Sequence, residues 1–305
     1  MDINFTIIIP HKNTPLLLER LIDSIPIRDD LEIIVVDDHS DSHIVNFDHF
    51  PCKDRRNLVI LSNTDSPGAG HARNFALPQA KGRWILFADS DDFYNAGFNY
   101  FLDKYVNNDA DIIFFNANSV DTDTYETSNR ADHLHEFINN YQKNPQCAEV
   151  ILRYMFTEPW CKMIKRKLIE KFSIRFDDTS IHEDVKFACL IGHYASTIIV
   201  DNSQLYCVTS RADSLSSTLN YNKYLDELLV FARWRKFLKK NQPSLNLPKF
   251  DNRAYHFTRH LWKDNKMFRE EYRILLMAGY SHFFIAGQIM YYIWKSFRYK
   301  LCKLR

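Results

Sequence analysis

The chain has 305 residues, about two average domains or one large domain with an appendage. It is 46% hydrophobic, 25% charged and 14% aromatic, which excludes a disordered, collagen-like or small disulfide-stapled protein. Thirty-nine Lys and Arg against 38 Asp and Glu give a formal charge of +1; this lacks the global basic bias of many nucleic-acid binders, and no nucleic-acid partner is expected.

In chain order, Phe5 to Ile9, Glu32 to Asp37, Asn57 to Leu61, Trp84 to Ala88 and Asp111 to Phe115 are short apolar runs that predict strands. Between several of them lie amphipathic stretches, Pro15 to Ile25, Ala69 to Gln79 and Gly97 to Val106, that predict helices. Alternation of this kind indicates an α/β protein, its central sheet mostly parallel and flanked by helices on both faces. The middle, Ser119 to Ser216, mixes helices with short strands at Thr197 to Val200 and Leu205 to Thr209. From Tyr221 the sequence reads as helical: Tyr221 to Lys240, a Pro-marked break at Gln242 to Pro248, then Asp251 to Trp262 and Phe268 to Phe297. The expected division is a catalytic domain over 1–216 and a helical C-terminal extension over 217–305.

The N-terminal run carries Asp2 and lacks a basic region or cleavage site, so it reads as a first strand and not as a signal peptide. Six cysteines form no C-x-x-C pair, which fits free thiols in a reducing compartment and a cytoplasmic location.

Ligands of parallel sheets bind beyond the carboxyl ends of the strands. Here those ends read Pro10-His11-Lys12-Asn13, Asp37-Asp38-His39-Ser40, Ser66-Pro67-Gly68-Ala69-Gly70 leading into His71-Ala72-Arg73-Asn74, and Asp89-Ser90-Asp91-Asp92. One sheet edge thus gathers up to five carboxylates. Like charges at that density raise one another's pKa unless a cation intervenes, and a hard divalent ion shared with substrate phosphates meets that need. The glycine-bearing loop and Arg73 could meet a ligand's negative charge. The plainer reading of any single Asp here is a turn or helix cap.

Taken in order, Ile7 to Asn13, Val35 to Ser40, Gly70 to Asn74 and Phe87 to Asp92 resemble the successive motifs of the family-2, GT-A-fold glycosyltransferases. His182-Glu183-Asp184-Val185-Lys186-Phe187 resembles that family's Glu-Asp motif, and Glu158 to Ile164 the segment that commonly precedes it. The similarity covers roughly Phe5 to Val208. It departs at His182, where relatives often have Gly, and at Lys12, where they often carry an aromatic residue.

The resemblance implies a GT-A, Rossmann-like domain that moves a sugar from a nucleotide-diphosphate sugar, a UDP-sugar by preference, to a hydroxyl of a saccharide or lipid-linked acceptor. It implies Asp38 at the donor's base, Pro10, His11 and Asn13 around the nucleoside, and Arg73 near the nucleotide. Asp89 would lie towards the ribose, with Asp91, and Asp89 beside it, at a divalent metal, Mn²⁺ or Mg²⁺. Asp184 would be the general base and Glu183 its assistant, with inversion at the anomeric carbon. Asp92 reads as an accessory ligand or a helix N-cap, Trp160 as a sugar platform or a core residue, and Asp184 in its plain reading as a helix-start carboxylate. Two other functions compete: a sugar nucleotidyltransferase, which would favour a glycine-rich basic loop where Pro10-His11-Lys12-Asn13 stands, and an inactive membrane-bound scaffold of the same fold.

His256 and His260 are spaced four apart on a predicted helix, but no third ligand is evident; His133 and His135 fall in a polar loop. Ile274 to Trp294 contains no Asp, Glu, Lys or Arg, and Lys295, Arg298, Lys300, Lys303 and Arg305 follow. An aromatic helix with a basic tail suits an anionic membrane surface, so contact at the inner face of the cell membrane through 274–305 is expected; packing on the domain and a true span are the alternatives. A membrane setting makes lipid-linked acceptors and cell-surface polysaccharide or lipopolysaccharide assembly attractive.

Overall fold

A computed structural model describes residues 2–211, 221–242 and 265–303. The chain divides into two units, Met1–Thr179 with Glu183–Ser217, and Ser180–His182 with Thr218–Arg305. The boundary expected at 216/217 lies outside the described residues, as do His256, His260 and the helix expected over Asp251 to Trp262.

The first unit is an α/β domain built on one sheet. Its strands are β1 (Phe5–His11), β2 (Leu31–Asp37), β3 (Leu58–Ser62), β4 (Trp84–Phe87), β5 (Phe93–Tyr94), β6 (Ile112–Asp121), β7 (Lys162–Lys165) and β8 (Ile198–Ser210). They form one eight-stranded sheet in the order β3-β2-β1-β4-β7-β6-β8-β5. The β3-β2-β1-β4 half is parallel, β7 runs antiparallel to both neighbours, and β6 and β8 are parallel to one another. β1 and β2 are β-branched runs buried at every position, as strands covered on both faces must be. β3, at the sheet edge, is only partly covered.

Helices α1 (Pro15–Asp23), α2 (Ala69–Ala76), α3 (Phe98–Tyr105), α4 (Asp132–Lys143), α5 (Pro145–Met155), α6 (Arg166–Lys171) and α7 (Asp184–Tyr194) complete the unit. α2 packs on β1 and β2, and α4 on β6 and β8. The short strands expected at 197–200 and 205–209 are one strand, β8, whose pairing with β6 slips on both sides of Asn116, where Asn202, Ser203 and Leu205 are extra residues that bend the ladder without ending it. His133 and His135 lie on α4, not in a loop, and are engaged by Glu158 and Asn116 respectively.

Pro10 marks where the sheet opens. β1 presents alternate residues to its two neighbours: His11 O accepts from Asp38 N, and Ile8 O from Ala88 N. The N–H that Pro10 lacks would point towards β4, which has already ended at Phe87, so no ladder bond is lost. Beyond this point β1 and β4 separate at the place where the strand order reverses, and the crevice there is where ligands of open α/β sheets bind.

The second unit contains α8 (Tyr221–Asn241), α9 (Asn265–Met277) and α10 (His282–Lys303). The single helix expected over 268–297 is two helices. Gly279 has φ 84°, Gly279 N donates to Leu276 O, and Tyr280 N donates to Leu275 O. That paired closure ends α9 in a left-handed glycine cap, and Ser281 Oγ then accepts from Phe284 N to start α10. Among the described residues, no helix is long and apolar enough to cross a membrane.

Candidate active site

Three loops meet at the ends of β1, β2 and β3. His11 is fully buried; its Nε2 accepts from Thr14 N at 3.3 Å, so Nδ1 carries the proton and donates to Asp37 at 3.1 Å. Burial pushes the Asp37 carboxyl up, but its bonds from His11 and Ser40 outweigh that and hold it below the usual range. Asn13 receives Asp41 N on Oδ1 and donates its own N–H to Ser40, tying the first loop to the second. Asp38 is buried and accepts from Asn63 Nδ2 at 2.7 Å and from Gly68 N at 2.8 Å. It therefore fixes the loop that leads into α2, while each oxygen keeps a lone pair for a further donor.

Arg73 is the centre of the second group. It is 3% exposed, with Nη2 on Asp89 at 2.6 Å and Nη1 on Glu183 at 2.8 Å. Burial alone would lower its pKa, but Asp89, Glu183 and then Asp184 more than compensate and raise it. Arg73, expected near the nucleotide, bolts the end of β4 to the start of α7. α2 is drawn in by the same contact: a β-carbon on Gly70 would lie 2.7 Å from Glu183 Cγ, so only glycine lets the helix approach so closely. Asn74 completes the clamp, donating to Phe176 O at 3.1 Å and accepting from Phe176 N at 2.9 Å.

Past β4, the loop folds back on β8. Asp89 N donates to the Tyr206 phenol oxygen at 2.8 Å. Asp92 accepts from Thr209 N at 2.7 Å, so it anchors β8; it caps no helix, since β5 follows and α3 is capped by Gly97. The Asp91 carbonyl is held by Arg20 and Thr209 Oγ1, which leaves its carboxylate to face Arg211 at 3.5 Å. Burial and then Asp89 raise the Asp91 pKa, and burial, Asp91 and Asp89 raise that of Asp92 well above the carboxylate range. This is the signature of more negative charge than the protein neutralises. The donor set is hard oxygen throughout and fits a divalent ion that takes its remaining ligands from a diphosphate. Among the described residues, no group of three or more His, Cys, Asp or Glu is arranged to hold a metal by itself.

Asp184 opens α7 next to Glu183. Burial, then Glu183 and Glu158, push its carboxyl well above the ordinary range, with Arg73 pulling the other way. Lys162 lies under this corner, buried, with Nζ on the Glu158 carbonyl and 3.7 Å from the Phe156 ring centroid. Burial lowers its pKa to about 7, against the pull of Glu158, Cys161 and Asp184. Trp160 is 6% exposed and stacked on Tyr206, where it supports the phenol that carries Asp89. Asn13, His39, Cys161 and His182 all have φ of 56–58°, in the left-handed region. Glycine is the residue that adopts such a φ without strain, so the side chain of His182 is carried at a strained position.

The sequence reading did not identify Arg20, Asn63, Lys162, Tyr206 or Arg211. Asn63 and Arg211 directly follow β3 and β8, so the strand-end rule would have found them; the others act through contacts that no local pattern encodes.

Residues 6–173 match the family model described as glycosyl transferase family 2. The poly(ribitol-phosphate) β-N-acetylglucosaminyltransferase TarS of Staphylococcus aureus is 34% identical over 96 residues, which are 30% of this chain and 17% of that protein. Glycosyltransferase GlyG of Streptococcus pneumoniae is 27% identical over 226 residues, 70% of this chain and 73% of that one. Among solved structures, S. aureus TarS 1–349 in complex with UDP-GlcNAc superposes with a TM-score of 0.60 at 21% identity, covering 90% of this chain and 80% of that chain. The mannosyltransferase PcManGT of Pyrobaculum calidifontis, in complex with GDP-Man and Mn²⁺, does so with 0.51 at 18%, covering 98% and 83%. At these identities the superpositions establish a shared fold.

Proposed function

The chain belongs to glycosyl transferase family 2, and from that premise we propose that it is an inverting glycosyltransferase using a UDP-sugar and a divalent metal. One observation carries the reading: Arg73 holds Asp89, at the end of β4, against Glu183, beside Asp184. Residues nearly a hundred positions apart thereby put a nucleotide-side carboxylate and a candidate base at one crevice. Neighbours of the same fold hold UDP-GlcNAc and GDP-Man, which supports a nucleotide-sugar donor, with UDP taken from TarS.

In this mechanism His11, Asn13 and Asp38 line the nucleoside end, with Asp38 accepting from the base. Asp91, with Asp89 beside it, would hold Mn²⁺ or Mg²⁺ against the diphosphate, where a cation offsets the charge that grows on the leaving group. Asp184 accepts the proton of an acceptor hydroxyl as that oxygen bonds to the anomeric carbon and the bond to the diphosphate breaks, inverting the configuration. Its raised pKa makes it a stronger proton acceptor than an ordinary carboxylate. Glu183, tied to Arg73, fixes the start of α7 and so the direction of Asp184. TarS is named for poly(ribitol-phosphate), which supports a hydroxyl on a polymer as the acceptor class.

The test is UDP release from UDP-hexoses with a cell-wall polymer acceptor, comparing the wild type with Asp184→Asn. A general base is worth about 10²–10⁴-fold, so turnover should fall by that factor while UDP affinity stays the same. Full activity in Asp184→Asn would remove the base assignment.

A further inference from the structure

The second unit carries a surface that the transfer reaction does not use. On α10, Phe283 is 92% exposed, Met290 67% and Trp294 55%. Their spacing, with Gly287 between them, is four, three and four residues, which sets them in one stripe along the helix. Ile285, off that stripe, is buried, so α10 is anchored on one side and apolar on the other. From Arg273 to Arg305 there is no Asp or Glu, whereas Lys295, Arg298, Lys300, Lys303 and Arg305 fill the last eleven positions.

We propose that α10 lies on the surface of an anionic lipid bilayer, its Phe283–Met290–Trp294 stripe in the headgroup–acyl boundary and its basic end against the headgroups. Charge decides the occupant. A second copy of the same helix offers no acid from 273 to 305 to pair with the basic end, whereas an anionic bilayer offers acyl chains to the stripe and headgroup charge to the basic end. Tryptophan and tyrosine suit that depth, with an apolar body and a polar edge. Since no described helix can cross a membrane, the helix rests on the surface.

The experiment is co-sedimentation of the full chain with vesicles of phosphatidylcholine alone or mixed with phosphatidylglycerol, at low and high salt, beside light scattering of the protein without lipid. The expected result is binding to the anionic vesicles only, weakened by salt, and reduced about tenfold or more in Phe283→Ser/Met290→Ser/Trp294→Ser. Lys295→Glu/Arg298→Glu supplies a second reading that leaves the stripe intact, and it too should lose anionic binding. Three outcomes overturn the proposal: no binding to anionic vesicles, equal binding by both variants and the wild type, or a dimer that the triple substitution converts to monomer. Vesicle binding requires neither donor nor acceptor, so its failure would leave the transferase reading standing.

Discussion

Replacing Arg73 with Met removes one cation from between two carboxylates. The guanidinium is buried and bonds Asp89 at 2.6 Å and Glu183 at 2.8 Å, and Asp184 also raises its pKa. Breaking a buried pair from one side costs about 3–5 kcal/mol, chiefly because the remaining charge stays buried without a partner. For a unit of roughly 150–250 residues each kcal/mol moves Tm by about 2–4 °C, so a fall of roughly 6–20 °C is expected. Thermal unfolding followed by circular dichroism near neutral pH, with chelator present, measures it. The orphaned carboxylates should titrate above the unfolded value of about 4, so the folded variant binds more protons than its unfolded chain and loses stability as pH rises through that window. The gap from the wild type should therefore narrow on acidification, and Arg73→Met/Glu183→Gln should recover part of the loss. A Tm within about 2 °C of the wild type, with an unchanged pH profile, would refute the bolt.

Lys162 has its pKa lowered to about 7 by burial, whereas the unfolded value is about 10.4. Between those values the unfolded chain binds the extra proton, so this residue makes stability rise with pH, by up to about 1.4 kcal/mol per unit. Lys162→Met should lack that slope: urea midpoints should favour the variant most below pH 7 and least near pH 10, and parallel profiles would sink the assignment. Gly70→Ala drives a methyl into Glu183, and should cost about 1–3 kcal/mol in unfolding free energy together with most of the transfer rate. An unchanged midpoint and rate would mean that the α2–α7 contact yields freely.

The sheet and the order of its strand-end motifs were legible because β1, β2 and β4 are continuous apolar runs that end in polar clusters, and local composition carries that pattern. Which strand-end side chains face a ligand was not legible. Arg73 and Trp160 both carry residue types suited to a nucleotide-sugar, yet one bridges Asp89 and Glu183 and the other supports Tyr206. Glu183 and Tyr206 lie far along the chain from them and are set only when α7 and β8 dock. Asp92 reads as a cap by residue type; its actual partner is Thr209 N on β8, more than a hundred residues away. The break in the C-terminal helix was readable, since Gly279-Tyr280-Ser281 supplies a left-handed cap followed by an N-cap. The charge-free run around it masked that signal.

The measurement that bears most directly on the function is calorimetric titration with UDP, GDP, CDP and dTDP, each with and without Mn²⁺, of the wild type and Asp91→Ala. UDP should bind best, need the metal, and lose that metal dependence in Asp91→Ala. Binding of none of the four nucleotides by the wild type would contradict it, and would leave a GT-A fold that no longer holds a sugar donor.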